Sequence, residues 1–463
     1  MTKVEKTEKK EKAGFLQQIG WSSRALSISV NVVLTMQITY FCTNVLGMSP
    51  ILTGTILLAT RIFDGFTDLA AGALINKVRT RFGLVRHYEI CIIPLWISTV
   101  LLFSAPVAMS ITVKAVWVFL FYSLANAVFA TMLNSSDAVY LSRAFSSQVV
   151  RSKILSINGL IIMLFSAAVS MTLPRLMATM GTTEGGWTKI ALLFGVPMGI
   201  IGLGRFLLVK EIDDTEMKVP EPVKITEGLR VLAGNKYVFM VAVTSLLCQV
   251  ISTLYSTSGT YYFQYIVGDL SSLGILGMLG LIAPIFMLFF PALLRKIGAI
   301  NIVRWAAVIG IIGYGVKIFA GTNIPLLLIT GLLGSLGALP MSFMVNIYLI
   351  DCMTYGEWKT GKRTDGFISV MAQFGNKVGQ GLASAGIGIL MGVVGFDGMA
   401  AVQSDAVKNM IIGLYSWIPA IVLVVMLLIL AKYDLDKRMP QIKQELEARK
   451  AALAAQEGSG GIQ

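Results

Sequence analysis

The stretch PILTGTILLATRIFDGFTDLAAGALI, residues 50–75, is apolar throughout except for Arg61, Asp64 and Asp68. As a helix it is long enough to cross a hydrocarbon core about 30 Å thick. Asp64 and Asp68 are four residues apart, so they share one helix face a turn apart, with Arg61 three residues before the first. An ionisable group in a membrane span is costly and usually faces a cavity or a partner. Two close carboxylates on one face repel, so either one keeps a proton or both hold a hard cation through oxygen ligands. The competing reading is an internal ion pair with Arg61 or Lys377. A switchable pair of this kind is what proton or sodium coupling requires.

The rest of the chain is of the same kind. Of its 463 residues 55% are hydrophobic and 14% charged, and its mean hydropathy of +0.75 lies far outside the soluble range. Apolar runs fall near 21–43, 50–75, 88–108, 113–137, 152–174, 187–209, 237–263, 270–294, 299–320, 324–350, 366–395 and 407–431. They are too long and too apolar for barrel strands, and backbone satisfaction in lipid leaves helices. The fold class expected is an all-α membrane protein of twelve transmembrane helices.

The longest polar interruption, VKEIDDTEMKVPEPVKITEGLRVLAGNKY at 209–237, divides the spans six and six. That organisation predicts a cytoplasmic segment at 1–20, a six-helix bundle at 21–209, a central loop at 210–236, a second bundle at 237–431 and a tail at 432–463. ALINKV at 73–78 echoes ALLRKI at 292–297, each closing the second helix of its half. GILGMLG and GLLGSLG in spans 8 and 10 carry small residues that permit close helix contact. The tail reads as an amphipathic helix with a flexible Gly/Ser end.

The net charge of +13 is mostly topological. Lys77, Arg79, Arg81 and Arg86 lie between spans 2 and 3, and Lys359, Lys362 and Arg363 between spans 10 and 11, whereas the alternate loops are nearly uncharged. The positive-inside rule puts the basic loops and both termini in the cytoplasm, and no nucleic-acid partner is needed to explain the charge. The N-terminal run lacks the short apolar core and cleavage site of a signal peptide. Cys42, Cys91, Cys248 and Cys352 show neither metal spacing nor a disulfide framework and read as small buried hydrophobes.

Polar stripes mark four spans: Arg24, Ser27, Asn31 and Thr35 in the first, and Ser123, Asn126 and Asn134 in the fourth. Gln249, Ser252 and Ser256 mark the seventh, and Gln373, Asn376, Lys377 and Gln380 the eleventh. A water-filled path would hydrate them all; hydrogen bonding between helices is the alternative for any one Ser or Thr. Lys377 stands out, because its ammonium needs an acceptor and sits among polar and small residues.

Two segments, LGMSPILTGTILLATRIFDGFTDLAAGALINKVRTRFGLVRHYE and IDCMTYGEWKTGKRTDGFISVMAQFGNKVGQGLASAGIGILMGVVGF, resemble the paired signatures of the glycoside-pentoside-hexuronide:cation symporters. These form the melibiose permease family of the major facilitator superfamily. The resemblance implies two pseudo-symmetric six-helix bundles, alternating access, a cation site on helices 2 and 4, and a sugar site between the bundles. By position it makes Asp64 and Asp68 the cation-site aspartates, Arg151 the arginine opening helix 5, and Lys377 the helix 11 lysine. Ile28, Asn126 and Ala130 stand where melibiose permease has two aspartates and a tryptophan, so two acceptors and an aromatic face for a galactoside are missing.

The expected cation site is Asp64, Asp68 and Asn126. The expected substrate contacts are Arg24, Asn126, Arg151, Gln373 and Lys377, whose positive charges shift the weight toward an anionic sugar such as a hexuronide or a sulfonated sugar. A latch of the loop arginines Arg79, Arg81 and Arg86 on acids such as Asp351 or Glu357, with Arg363 opposite, is expected to gate the carrier. The function expected is symport of a sugar or sugar derivative with Na⁺ or H⁺ by a monomer in the inner membrane, without a cofactor. A lysolipid or other amphiphile carrier and a non-transporting sensor are the alternatives. Enzymatic activity is not expected: the lone His87 lies in a basic loop, and neither a nucleophile–base arrangement nor a Walker loop occurs.

Overall fold

A computed structural model describes residues 14–75, 80–145, 147–183, 185–211, 235–287, 293, 296–360 and 365–460. In parts of the helices, 341–347, 365–374 and 450–460 among them, only the backbone is described. Among the described residues there is no β-strand, only an isolated bridge between Thr80 and Gly83.

A helix occupies each predicted span. In the first half these are α1 (Phe15–Val45), α2 (Pro50–Ile75), α3 (Ile92–Leu102, entered by a 3₁₀ turn at Arg86–Cys91), α4 (Ile111–Ala144), α5 (Gln148–Thr179) and α6 (Gly186–Leu208). In the second they are α7 (Lys236–Val267), α8 (Leu270–Ile282), α9 (Ala299–Lys317), α10 (Ile324–Thr360), α11 (Asp365–Val393) and α12 (Asp405–Tyr415, continuing as Trp417–Ala431). The tail helix α13 runs from Leu435 through the Gly/Ser segment to Gly460. α1, α4 and α7 each widen into a π-helical turn, at Phe41–Val45, Leu124–Phe129 and Phe263–Val267. The chain packs as two compact units: one is 1–219 with 254–282 and 381–415, the other 220–253 with 283–380 and 416–463. Parts of α7, α8 and α11 therefore belong to the first unit.

The first unit is held by an apolar core and by polar pairs buried within it. Phe41, Phe103 and Trp187 pack together, the last two stacked with ring centroids 5.4 Å apart. The polar stripe of α1 faces neighbouring helices. Ser27 donates to the Met198 carbonyl at 2.7 Å and accepts from the Trp96 indole at 2.8 Å, and Asn31 donates to Thr99 at 2.8 Å. Thr35 back-bonds to the Asn31 carbonyl at 2.9 Å. These groups join α1 to α3 and α6, so this stripe serves helix packing and the water-path reading does not fit it.

One turn before this stripe lies a buried charge cluster. Arg24 Nη2 is 2.5 Å and Arg205 Nη1 2.7 Å from the same Asp137 oxygen, and the two guanidinium Nε atoms lie 3.6 and 3.8 Å from Glu89. Arg24 also donates to the Leu133 carbonyl. The Arg205 guanidinium sits 3.1 Å from the Trp21 ring centroid. Glu89 is 0% and Arg205 1% exposed. Two cations and two anions cancel, which is what lets four ionised groups be tolerated there.

Glu211, just beyond α6, closes the unit at its basic-loop end. Its carboxylate accepts from the backbone N–H groups of Leu84, Val85 and Arg86 at 3.0, 2.8 and 2.6 Å, where the 3₁₀ turn begins. Gly83 is required twice over: its φ is +117°, and a Cβ there would stand 2.7 Å from the Glu211 carboxylate. At the opposite end α2 crosses α11 with no side chain between them, since a Cβ on Gly54 would meet the Ser384 carbonyl at 2.8 Å. Nearby, the π turn of α1 is bonded to α7 through Thr43···Tyr261 at 2.8 Å, just before the π turn of α7, and Asn44→Tyr265 at 2.6 Å, within it.

In the second unit α9 lies close against α10, with Gly313 facing Leu333 and Gly310 facing Gly337. Asn235 caps α7 by accepting from the Tyr237 and Val238 N–H groups at 3.1 and 3.4 Å, and donates to the Cys352 carbonyl at 3.2 Å. The Tyr237 hydroxyl donates to Asp434 at 2.6 Å and holds that carboxyl below the usual carboxylate range. α13 is fastened to the end of α10: the Trp358 indole donates to Glu445 at 2.6 Å, and Arg449 donates to the Trp358 carbonyl at 3.0 Å.

The charge cluster predicts that Arg205→Met destabilises the folded protein by about 3–5 kcal/mol, because it strands a buried carboxylate. The double variant Arg205→Met/Glu89→Met should recover much of that loss, and thermal unfolding of the purified protein measures both. Glu211→Ala removes three charge-assisted bonds at once and should cost about 2–3 kcal/mol. Hydrogen exchange at Leu84, Val85 and Arg86 should rise with it.

Candidate cation site

α2 sets the site: Ile62, Phe63 and Phe66 face outward while Arg61, Asp64 and Asp68 follow one another at helical spacing. Asp64 is 2% exposed. One of its oxygens accepts from the Thr131 hydroxyl of α4 at 2.9 Å, and the other lies 3.3 Å from Arg61 Nη1. Arg61 is itself held by α4, its Nη2 donating to the Tyr122 hydroxyl at 3.0 Å. Asp68, a turn further along, is half-buried.

The α4 side of the site is shaped by the π turn at Leu124–Phe129. It carries half-buried Asn126, whose amide donates to the Tyr122 carbonyl at 3.2 Å, and leads into Thr131, 3.5 Å from the Asn126 carbonyl. π turns recur at functional sites because they offset a helix face by one residue. The structure brings the Asp64 carboxylate and the Thr131 hydroxyl together from two adjacent helices, and such oxygens are the ligands a hard cation takes. Among the described residues no group of three or more His, Cys, Asp and Glu side chains gathers for a metal. A small monovalent ion or a proton suits this set better than a transition metal.

Several expected residues sit elsewhere. Arg24 is held in the cluster with Asp137 and Glu89. Arg151 donates to the carbonyls of Phe145 and Ser142 at 2.6 and 3.3 Å, at the C-terminal end of α4, where a cation is favoured. Arg86 gives Nε and Nη2 to the Phe206 carbonyl at 2.8 and 2.6 Å, and Arg81 lies over the Phe82 ring. Lys377 is half-buried on α11, and Asp351 half-buried on α10. Arg79 and Arg363 lie outside the described residues, as does the side chain of Gln373. Sequence reading missed Thr131 and Tyr122, which carry no charge. It also missed Glu89, Asp137 and Arg205, although each is an ionisable residue in or at the edge of a predicted span.

The comparisons agree with this architecture. The family described as MFS/sugar transport protein matches residues 23–437. The isoprimeverose transporter of Lactiplantibacillus pentosus is 26% identical over 451 residues, covering 94% of this chain and 92% of that protein. The glucuronide carrier protein homolog of Escherichia coli (strain K12) is 24% identical over 428 residues, covering 89% and 90%. The crystal structure of a D-xylose-proton symporter superposes with a TM-score of 0.63 at 15% identity, covering 90% of this chain and 97% of the other. The fold is thus the two six-helix bundles of the major facilitator superfamily, in a multi-pass membrane transporter and not an enzyme. The chain belongs to the MFS/sugar transport protein family, among its glycoside-pentoside-hexuronide symporter-like members.

Proposed function

We propose that this sugar transporter is a symporter driven by Na⁺ or H⁺, working by alternating access, with Asp64 and Asp68 as the ion-binding carboxylates. The observation that carries the reading is the environment of Asp64: a carboxylate 2% exposed, with the Thr131 hydroxyl on one oxygen and Arg61 on the other. The Arg61 bond at 3.3 Å is long for a charge-assisted one, so an entering cation competes with it on reasonable terms. Asn126, on the π turn that leads into Thr131, is the third ion ligand in this reading. Lys377 of α11 is the counter-charge whose contacts change as ion and sugar bind. The substrate is a sugar or sugar derivative of the glycoside, pentoside or hexuronide kind, and the relatives' names support that range. The basic loops and both termini face the cytoplasm in this reading, and the carrier works as a monomer.

Coupling between ion and sugar must be reciprocal, so each should raise the affinity of the other by the same factor. Asp64→Asn and Asp68→Asn keep side-chain size but remove a charge. Both should abolish ion-stimulated sugar binding and concentrative uptake in folded protein, leaving at most weak exchange. Undiminished stimulation in both variants would falsify the ion-site assignment, and a loss of folded protein would mark a structural ion pair instead. Running uptake under a sodium gradient and then under a pH gradient identifies the ion. Thr131→Val should weaken ion affinity about tenfold, the equivalent of one hydrogen-bonding ligand, whereas Thr131→Ser should retain it.

A further inference from the structure

A cavity of about 410 Å³ lies within the first unit, between α1, α5, the start of α8 and the part of α7 that belongs to this unit. Its volume falls within the ~300–1,000 Å³ of small-molecule sites. Among the described residues, no acidic, basic or histidine side chain lines it. Its polar groups are Gln37 of α1, Ser166 and Ser170 one turn apart on α5, Tyr255 and Ser256 of α7, and Tyr415 of α12. The rings of Tyr255 and Tyr415 are stacked with centroids 5.4 Å apart. Met36, Leu173 and Leu276 supply apolar wall.

Resting on the sugar-carrier reading, we infer that this cavity receives an uncharged saccharide and that the carrier discriminates against uronides and other anionic sugars. Hydroxyls and a carboxamide match sugar hydroxyls as both donors and acceptors, and the tyrosine rings and methionine match the C–H face of a pyranose. A carboxylate on the sugar would meet a largely apolar wall with no cation among its described residues to pair it. The unit's buried or half-buried arginines are engaged elsewhere. Arg24 and Arg205 neutralise Asp137 and Glu89, Arg61 lies on Asp64, and Arg151 donates to the end of α4. The buried Lys114 ammonium donates to the Leu46 carbonyl at 2.8 Å. The lean toward an anionic sugar rested on Arg24, Arg151 and Lys377; the first two point their donors at protein acceptors, and none of the three lines this cavity.

Matched sugars test the inference. Methyl glucoside with methyl glucuronide, and methyl galactoside with methyl galacturonide, differ within each pair only at C6, and methyl xyloside lacks that carbon altogether. Each is titrated against the purified full-length carrier by thermal shift and by competition for uptake. The neutral sugars should bind at least tenfold more tightly than their acid partners. Ser170→Arg or Ser166→Arg, each placing a guanidinium on the wall, should narrow or invert that ratio. Equal or tighter binding of the acids by the unaltered protein overturns the inference. A ratio unmoved in both folded arginine variants overturns the assignment to this cavity. If no sugar of either kind binds, the sugar-carrier reading is what has failed, and that result differs from a preference for acids.

Discussion

An ionised group inside a low-dielectric bundle must meet an opposite charge or several hydrogen-bond donors, and the first unit is arranged around that requirement. Removing such groups from water costs several kcal/mol each unless the pairing is good. Arg24, Glu89, Asp137 and Arg205 satisfy it by forming a closed, neutral set that ties α1, α4, α6 and the entry to α3 together. Asp64 meets it with partners from α2 and α4. It has one hydroxyl and one guanidinium at 3.3 Å, with a second carboxylate a turn away. The neutral set is suited to holding helices in place.

Small residues and π turns do complementary work at the other end of the unit. Where α2 crosses α11, Gly54 and Gly388 let backbone meet backbone, a smooth contact without interlocking side chains. Where α1 meets α7, the contact is polar and specific, with hydroxyls and an amide in and beside the two π turns bonded to each other. Thr260 adds a bond to Gln37 at 2.9 Å, a residue that also lines the neutral cavity. The unit's seam and its cavity therefore share a residue.

The helices were legible because hydropathy over about 20 residues overrides local detail in lipid. The acid pair of α2 was legible because its spacing is local. The cluster that holds Arg24 was not: its partners come from three other helices, and nothing near Arg24 in sequence distinguishes an arginine facing a cavity from one facing Asp137. The α1 stripe failed for a related reason. Residues three and four apart share a face whether that face looks at water or at α3 and α6. In α4 the π turn between Ser123 and Asn134 adds a residue to the turn, so a stripe counted at 3.6 residues per turn loses its register there. Thr131 reaches Asp64 across that offset, and uniform periodicity gives no hint of it.

The attachment of α13 to α10 gives the molecule an external pointer. Trp358 and Glu445 join the two helices by a side-chain bond, reinforced by Arg449 on the Trp358 carbonyl. Gln444 and Glu447 lie exposed along the tail helix. A fluorophore or spin label at one of them rides on the end of α10 as a lever does on its axle. Angular displacement of that helix would register as movement of the label.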